Sequence, residues 1–281
     1  MKTGMNLLLW TTHVTQDHFP LFASLKRTGF DGVEIPVFEG DAAHYKKVGA
    51  ELKNLGLGCT TVTVCGPDDN PISPDAGIRQ KAHDRHKWAI EMTAHLGGEN
   101  LCGPYHSAIG VFSGSGPTDA EKAHGVEVLR KAAEFAQQHK VMLCCEYLNR
   151  FECYFLTTAA GAAELVRKVN HPSFRTMYDT FHANIEEKSP RAGVQAMVGL
   201  FNHVHISEND RGTPGTGMVH WDETFAALKE VKYDGWLVIE AFGRALPALA
   251  AATKVWRDLF PNPEQVYTEG LRFMKQKWGS R

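Results

Sequence analysis

Eight short runs of apolar, β-branched and aromatic residues punctuate the chain, at 5–10 (MNLLLW), 32–37 (GVEIPV), 58–65 (GCTTVTVC), 99–105 (ENLCGPY), 141–147 (VMLCCEY), 174–180 (FRTMYDT), 201–207 (FNHVHIS) and 235–242 (GWLVIEAF). Each has the length and composition of a buried β-strand. Between them the apolar positions take up a helical period. In 117–139 they fall at Val126, Leu129, Ala133 and Phe135, and in the segment from about Trp221 at Phe225, Leu228 and Val231. Strands that alternate with helices pair in parallel through right-handed crossovers. Eight such units in roughly 250 residues fit a closed (β/α)8 barrel better than an open doubly wound sheet. No Pro- or Ser-rich linker divides the chain, so residues 1–281 are expected to form one α/β barrel domain, with 263–278 as an extra C-terminal helix.

Two stretches, TGFDGVEI at 28–35 and KYDGWLVIE at 232–240, place an aromatic-Asp-Gly turn before a strand. The glycine is expected to end the preceding helix in the left-handed conformation and to launch the strand. The run at the N-terminus is apolar for only about six residues, too short for a secretory core or a membrane span, which makes the cytoplasm the expected compartment. Hydrophobic residues at 43%, charged residues at 22% and a formal charge of -2 describe an ordinary globular enzyme with no footprint for nucleic acid or an anionic membrane. The six cysteines, at 59, 65, 102, 144, 145 and 153, contain no CxxC pair. They are expected to be reduced thiols, most of them packing in or beside strands.

In a (β/α)8 barrel the chemistry gathers at the C-terminal ends of the strands. The fifth run ends at Glu146, the sixth at Asp179, the seventh carries His205 and the eighth ends at Glu240. Residues two positions back, Cys144, Met177, His203 and Val238, face the same way and are expected to pack beneath them. Any one of these acids could be a strand-end residue facing solvent or a salt bridge. Four potential ligands in register suit a divalent ion that prefers oxygen, Mn2+ or Mg2+ with Co2+ able to substitute, and suit zinc less well. His203 lies one layer deeper, about 7 Å away by strand rise, and reads as a buried, hydrogen-bonded histidine rather than a shared ligand. Glu152, His182 and Arg211 lie close by in sequence and could hydrogen-bond a polyhydroxylated ligand. The alternatives are support of the metal site for His182 and a surface loop for Arg211. The GTPGTG run at 212–217 reads as a turn. Glu34 and His106 end the second and fourth runs and could line the pocket.

At these residues the chain resembles the ketose 3-epimerases, which include D-tagatose, D-psicose (allulose) and L-ribulose 3-epimerases, within the xylose-isomerase-like TIM barrels. The matching stretches are GFDGVEI, CCEYLNRFE, MYDTFHANIEE, HVHISENDRGTPGTG with HWDETFAALKEVKYDG, and VIEAF, in order over nearly the whole chain. NRFE and DTFHxNIEE are fairly specific to this branch. The resemblance implies metal ligation by Glu146, Asp179, His205 and Glu240, sugar contacts from Glu152, His182 and Arg211, and a homodimer or homotetramer. The departures are Asn6, where relatives often carry an aromatic, and GPYHSAIG after the fourth run, where they carry an apolar loop; both regions bear on which sugar is taken. The expected reaction is inversion at C3 of a ketose through a cis-enediolate, with Mn2+ the expected ion and Glu146 and Glu240 as acid and base on opposite faces. Competing readings are an aldose-ketose or hydroxypyruvate-type isomerase on the same metal site, a multi-zinc DNA repair endonuclease and a non-catalytic sugar-binding barrel.

Overall fold

In the computed structural model, which describes residues 1–279, the eight strands close in chain order into one parallel barrel. The strands are β1 (Lys2–Asn6), β2 (Gly32–Pro36), β3 (Gly58–Val62), β4 (Asn100–Gly103), β5 (Met142–Glu146), β6 (Phe174–Asp179), β7 (Phe201–Ile206) and β8 (Trp236–Ile239). The helices are α1 (Phe19–Thr28), α2 (Ala42–Leu55), α3 (Ala76–Leu96), α4 (Asp119–His139), α5 (Ala159–Val169), α6 (Thr180–Glu186), α7 (Pro190–Ala196), α8 (Trp221–Glu230), α9 (Pro247–Thr253) and the C-terminal α10 (Pro263–Gly279). Among the described residues no helix is long and apolar enough to cross a membrane.

Apolar side chains on the outer strand faces meet the inward stripes of the helices in the main core, where Leu129 and Ala133 of α4 and Phe225 and Leu228 of α8 are buried. Val126 and Phe135 lie at the edge of that core, because Val128, Ala132 and Ala136 share the buried face of α4. A reciprocal cap between Thr118 and Glu121 starts the same helix. All six cysteines are free and buried. Cys145 packs outward in the main core, while Cys144 points into the barrel against Cys102 and Met177.

Two local expectations are corrected. The first strand is Lys2–Asn6, and Leu7–Leu9 form a 3-10 turn instead of continuing it. The cause is Asn6, whose side-chain oxygen accepts from the Leu8 backbone N–H at 2.8 Å and so offers the chain a turn in place of the ladder. Asn6 therefore closes β1 at the catalytic end rather than opening it. In the aromatic-Asp-Gly stretches, the left-handed residues are Gly29 and Lys232, not the glycines of the Asp-Gly pairs.

Gly32 is required for a different reason. It stands in register with Gly4 and Gly58 across β1, β2 and β3, and the indole of Trp236 from β8 lies against all three. A Cβ on Gly32 would meet the Gly58 carbonyl oxygen at 2.4 Å and the Trp236 ring at 2.5 Å. Trp236 thus fills the floor of the barrel in space that three glycines leave open. Its Nε1–H donates to Glu99 at 3.1 Å, and Lys2 pairs with the same carboxylate.

Candidate active site

Above that floor, side-chain alternation stacks two further layers inside the barrel. Cys102, Cys144, Met177, His203 and Val238 are buried in the middle layer, as expected from the two-residue period. The layer above brings together Glu146 at the end of β5, Asp179 at the end of β6, His205 in β7 and Glu240 one residue past β8. One ligand atom from each lies within 4.8 Å of all the others, and all four residues are buried. His205 Nδ1 is 3.4 Å from Glu240, 3.8 Å from Asp179 and 3.9 Å from Glu146. That nitrogen has no hydrogen-bond partner among the described residues. Three buried carboxylates and an imidazole nitrogen without a partner fit a divalent cation, whose charge would offset their mutual repulsion. The cluster is a candidate metal site.

The electrostatics differ from ligand to ligand. Burial raises the Glu146 carboxyl well above the ordinary range, and the neighbouring Glu240 and Asp179 push the same way against the opposing His205 and Arg211. Burial would raise Asp179 too, but Arg211, His182 and His205 outweigh it and hold that carboxyl well below the ordinary range. Asp179 also caps α6, its Oδ1 accepting from the Phe181 N–H at 2.6 Å, which leaves Oδ2 facing the cluster.

Arg211 is buried in the site, not on a surface loop. Its Nη1 donates to Glu240 at 2.7 Å, to the Ser207 hydroxyl at 3.0 Å and to Asp179 at 3.2 Å. Its guanidinium lies 3.7 Å over the Phe181 ring. His182 comes in from α6. Its Nδ1 accepts from the Asn149 backbone N–H at 3.0 Å, and its Nε2 lies 3.2 Å from Arg211 Nη2, 3.6 Å from Glu146 and 3.9 Å from Asp179. Burial lowers the imidazole to about 3 and keeps it neutral. Glu152 is half-buried beyond the NRF turn, with Oε1 accepting from Asn149 Nδ2 at 2.8 Å. Burial raises its carboxyl, and Arg211 pulls the other way.

Several contributors escape a reading by strand ends. Asn149 ties Glu152 to His182, which is the structural content of the NRFE motif. Glu208, fully buried, gathers the backbone N–H groups of Asn209, Gly215 and Val219 and the indole N–H of Trp221. It folds the 208–219 loop into the turn expected of GTPGTG and supports Arg211, which holds a left-handed backbone at φ 68. An acid within SEND reads as solvated loop, so only the fold reveals it. Glu34 does not end its strand but stands in the middle of β2, buried, with Asn6 and Thr60 as its register neighbours. A lone acid inside the apolar run VEI was its one sequence signal.

His203 is buried as expected, but its Nε2 lies 3.0 Å from Glu34 Oε2 without hydrogen-bond alignment. Its ring centre is 5.1 Å from that of His205, nearer than strand rise implied, because the two imidazoles converge on one carboxylate. Glu34, Cys102 and His203 form a second buried group of potential ligands one layer down. His106 lies beyond the end of β4, buried against Phe155 with Nδ1 2.8 Å from the Ser107 hydroxyl. Burial lowers its pKa to about 3.

The architecture has known counterparts. Residues 22–277 match the family model of the xylose isomerase-like TIM barrel, which sets the class of the protein. A probable ketose 3-epimerase of Synechocystis sp. is 30% identical over 99% of this chain and 97% of its own length. The D-allulose 3-epimerase of Methylomonas sp., solved in complex with D-allulose, has a TM-score of 0.92 at 26% identity over 99% of this chain and 97% of that one. The D-psicose 3-epimerase of Clostridium cellulolyticum H10, solved with D-tagatose, has a TM-score of 0.91 at 27% identity over 100% of both. The chain belongs to the ketose 3-epimerase family and is a sugar epimerase.

Proposed function

We propose that the protein inverts C3 of a ketose through a cis-enediolate, with Glu146 and Glu240 exchanging the proton on opposite faces of the sugar. The observation that carries this reading is the convergence of Glu146, Asp179, His205 and Glu240 on one point at the catalytic end of the barrel. A divalent ion bound by these four residues, Mn2+ first and Mg2+ or Co2+ as substitutes, supplies the positive charge that acidifies the C3–H and steadies the enediolate. Glu146 and Glu240 stand on β5 and β8, on either side of the two strands that bear Asp179 and His205. A planar intermediate between them meets a carboxylate on each face, and each carboxylate can remove or return a proton there.

The remaining polar residues hold the sugar. His182 offers a neutral imidazole held by Asn149, Arg211 a guanidinium held over Phe181, and Glu152 a carboxylate anchored by Asn149. The relatives solved with D-allulose and D-tagatose point to free ketohexoses as the first substrates to try. The expected assembly is the homodimer or homotetramer carried over from the family likeness.

Each member of a panel of free ketoses is incubated with enzyme and Mn2+ in D2O, quenched with chelator, and read by proton NMR. Deuterium at C3 together with the C3-epimeric ketose is expected, and chelation before the reaction should abolish both. An aldose product, or turnover indifferent to chelation, would overturn the reading.

A further inference from the structure

An imidazole can meet a metal through either ring nitrogen, and in His205 it is Nδ1 that faces the three carboxylates. The other nitrogen is held from behind. His205 Nε2 lies 2.7 Å from Glu34 Oε1, and that oxygen also accepts from Asn6 Nδ2 at 2.9 Å. Glu34 Oε2 accepts from the Thr60 hydroxyl at 2.8 Å and meets His203 Nε2 at 3.0 Å. Asn6, Glu34 and Thr60 are register neighbours on β1, β2 and β3, so three consecutive strands build this support across the lumen from β7. Both Glu34 oxygens already accept from side-chain donors, Asn6 Nδ2 and the Thr60 hydroxyl, so the His205 nitrogen that meets Oε1 is the donor and carries the proton.

We infer that Glu34 is a positioning residue for the metal site: by accepting the Nε2–H of His205 it fixes the tautomer and the ring plane, and so presents the Nδ1 lone pair to the point shared by Glu146, Asp179 and Glu240. The inference rests on the reading of that cluster as a metal site. Hydrogen bonds of this kind, from the far nitrogen of a ligating histidine to a carboxylate, set both orientation and basicity of the ligand. Asn6 extends the brace to a second ligand, because its Nδ2 also lies 3.2 Å from Glu240 Oε1. The orientation of that amide is set by its oxygen, which accepts from the Leu8 N–H. The position that departs from the family's usual aromatic thus ties Glu34 to one of the two proposed bases.

Two measurements test the role. Calorimetric titration of the apoprotein with Mn2+ should show Glu34→Gln binding about 10- to 100-fold more weakly than wild type while its circular dichroism is unchanged. Two-bond proton-nitrogen NMR of histidine-labelled wild type loaded with Mg2+ should show His205 protonated at Nε2 and coordinated through Nδ1, a signature that loose packing would not create. Wild type that takes up no Mn2+ would sink the metal reading, and this inference with it. Wild type that binds Mn2+ while Glu34→Gln binds within about threefold of it would remove the positioning role alone. A proton found on Nδ1 of His205 in the loaded protein would do the same, and that spectrum decides the matter if Glu34→Gln does not fold.

Discussion

Glu146 and Glu240 share a side chain and a layer but not an environment. Arg211 donates directly to Glu240 at 2.7 Å, whereas Glu146 is raised by burial and by its carboxylate neighbours. Two carboxylates in unlike surroundings suit the opposite parts of one proton exchange. Replacing either by glutamine keeps the shape and removes the basic oxygen. Glu146→Gln and Glu240→Gln should each slow C3 exchange by at least about a hundredfold with an unchanged circular dichroism spectrum. Near-normal exchange in either variant would rule out its glutamate as a base. At this scale the sequence was informative wherever a residue sat at a strand end, and where a side chain acts through a neighbour it was silent on Asn149 and Glu208 and offered Glu34 only as a residue that could line the pocket. Asn149, Glu208 and Glu34 act on His182, Arg211 and His205, partners that lie 33, 3 and 171 positions away in sequence.

Among the elements, β8 does two jobs. Its far end leads into Glu240, and its first residue, Trp236, fills the barrel floor over Gly4, Gly32 and Gly58. A methyl group at Gly32 would press on the backbone of β3 as well as on the indole, so neither neighbour can give way cheaply. Gly32→Ala should cost about 1–3 kcal/mol or more, as overpacking of a filled core does, and urea unfolding followed by tryptophan fluorescence measures it. Wild-type stability in that variant would show that the floor is loosely filled. The β1 boundary carries a related lesson. LLLW has the composition of a strand, yet one side-chain hydrogen bond from Asn6 turns the chain, because a local cap competes with the ladder for the same N–H.

For the molecule as a whole, closing the barrel buries titratable groups that must stay neutral. His86 on α3 is buried, donating toward the Tyr105 carbonyl at 3.0 Å, and burial lowers it from 6.5 to about 4. The unfolded chain therefore takes up a proton near pH 6.5 that the folded protein refuses until about pH 4. The stability His86 contributes is complete above pH 6.5 and declines as the pH falls through that interval. Between pH 7 and pH 4.5 the folded state should lose about 2 to 3 kcal/mol on this account. Urea titrations at the two pH values should show a smaller difference in His86→Asn than in wild type; equal differences would mean that His86 is not held neutral.

The order of strands and helices, the identity of the barrel and the four residues at one end of it were determined by the sequence alone. The reason is that periods of two and 3.6 residues, and the parity that sends every second strand residue inward, are local properties. What only the tertiary structure decided is who stands behind those residues. Glu34 and Asn6 face His205 and Glu240 across a closed lumen, Arg211 turns inward because Glu208 folds its loop, and Trp236 finds its glycines on three other strands. Such pairings depend on barrel closure and strand stagger, which bring together positions more than 200 residues apart, as in the bond from Asn6 to Glu240.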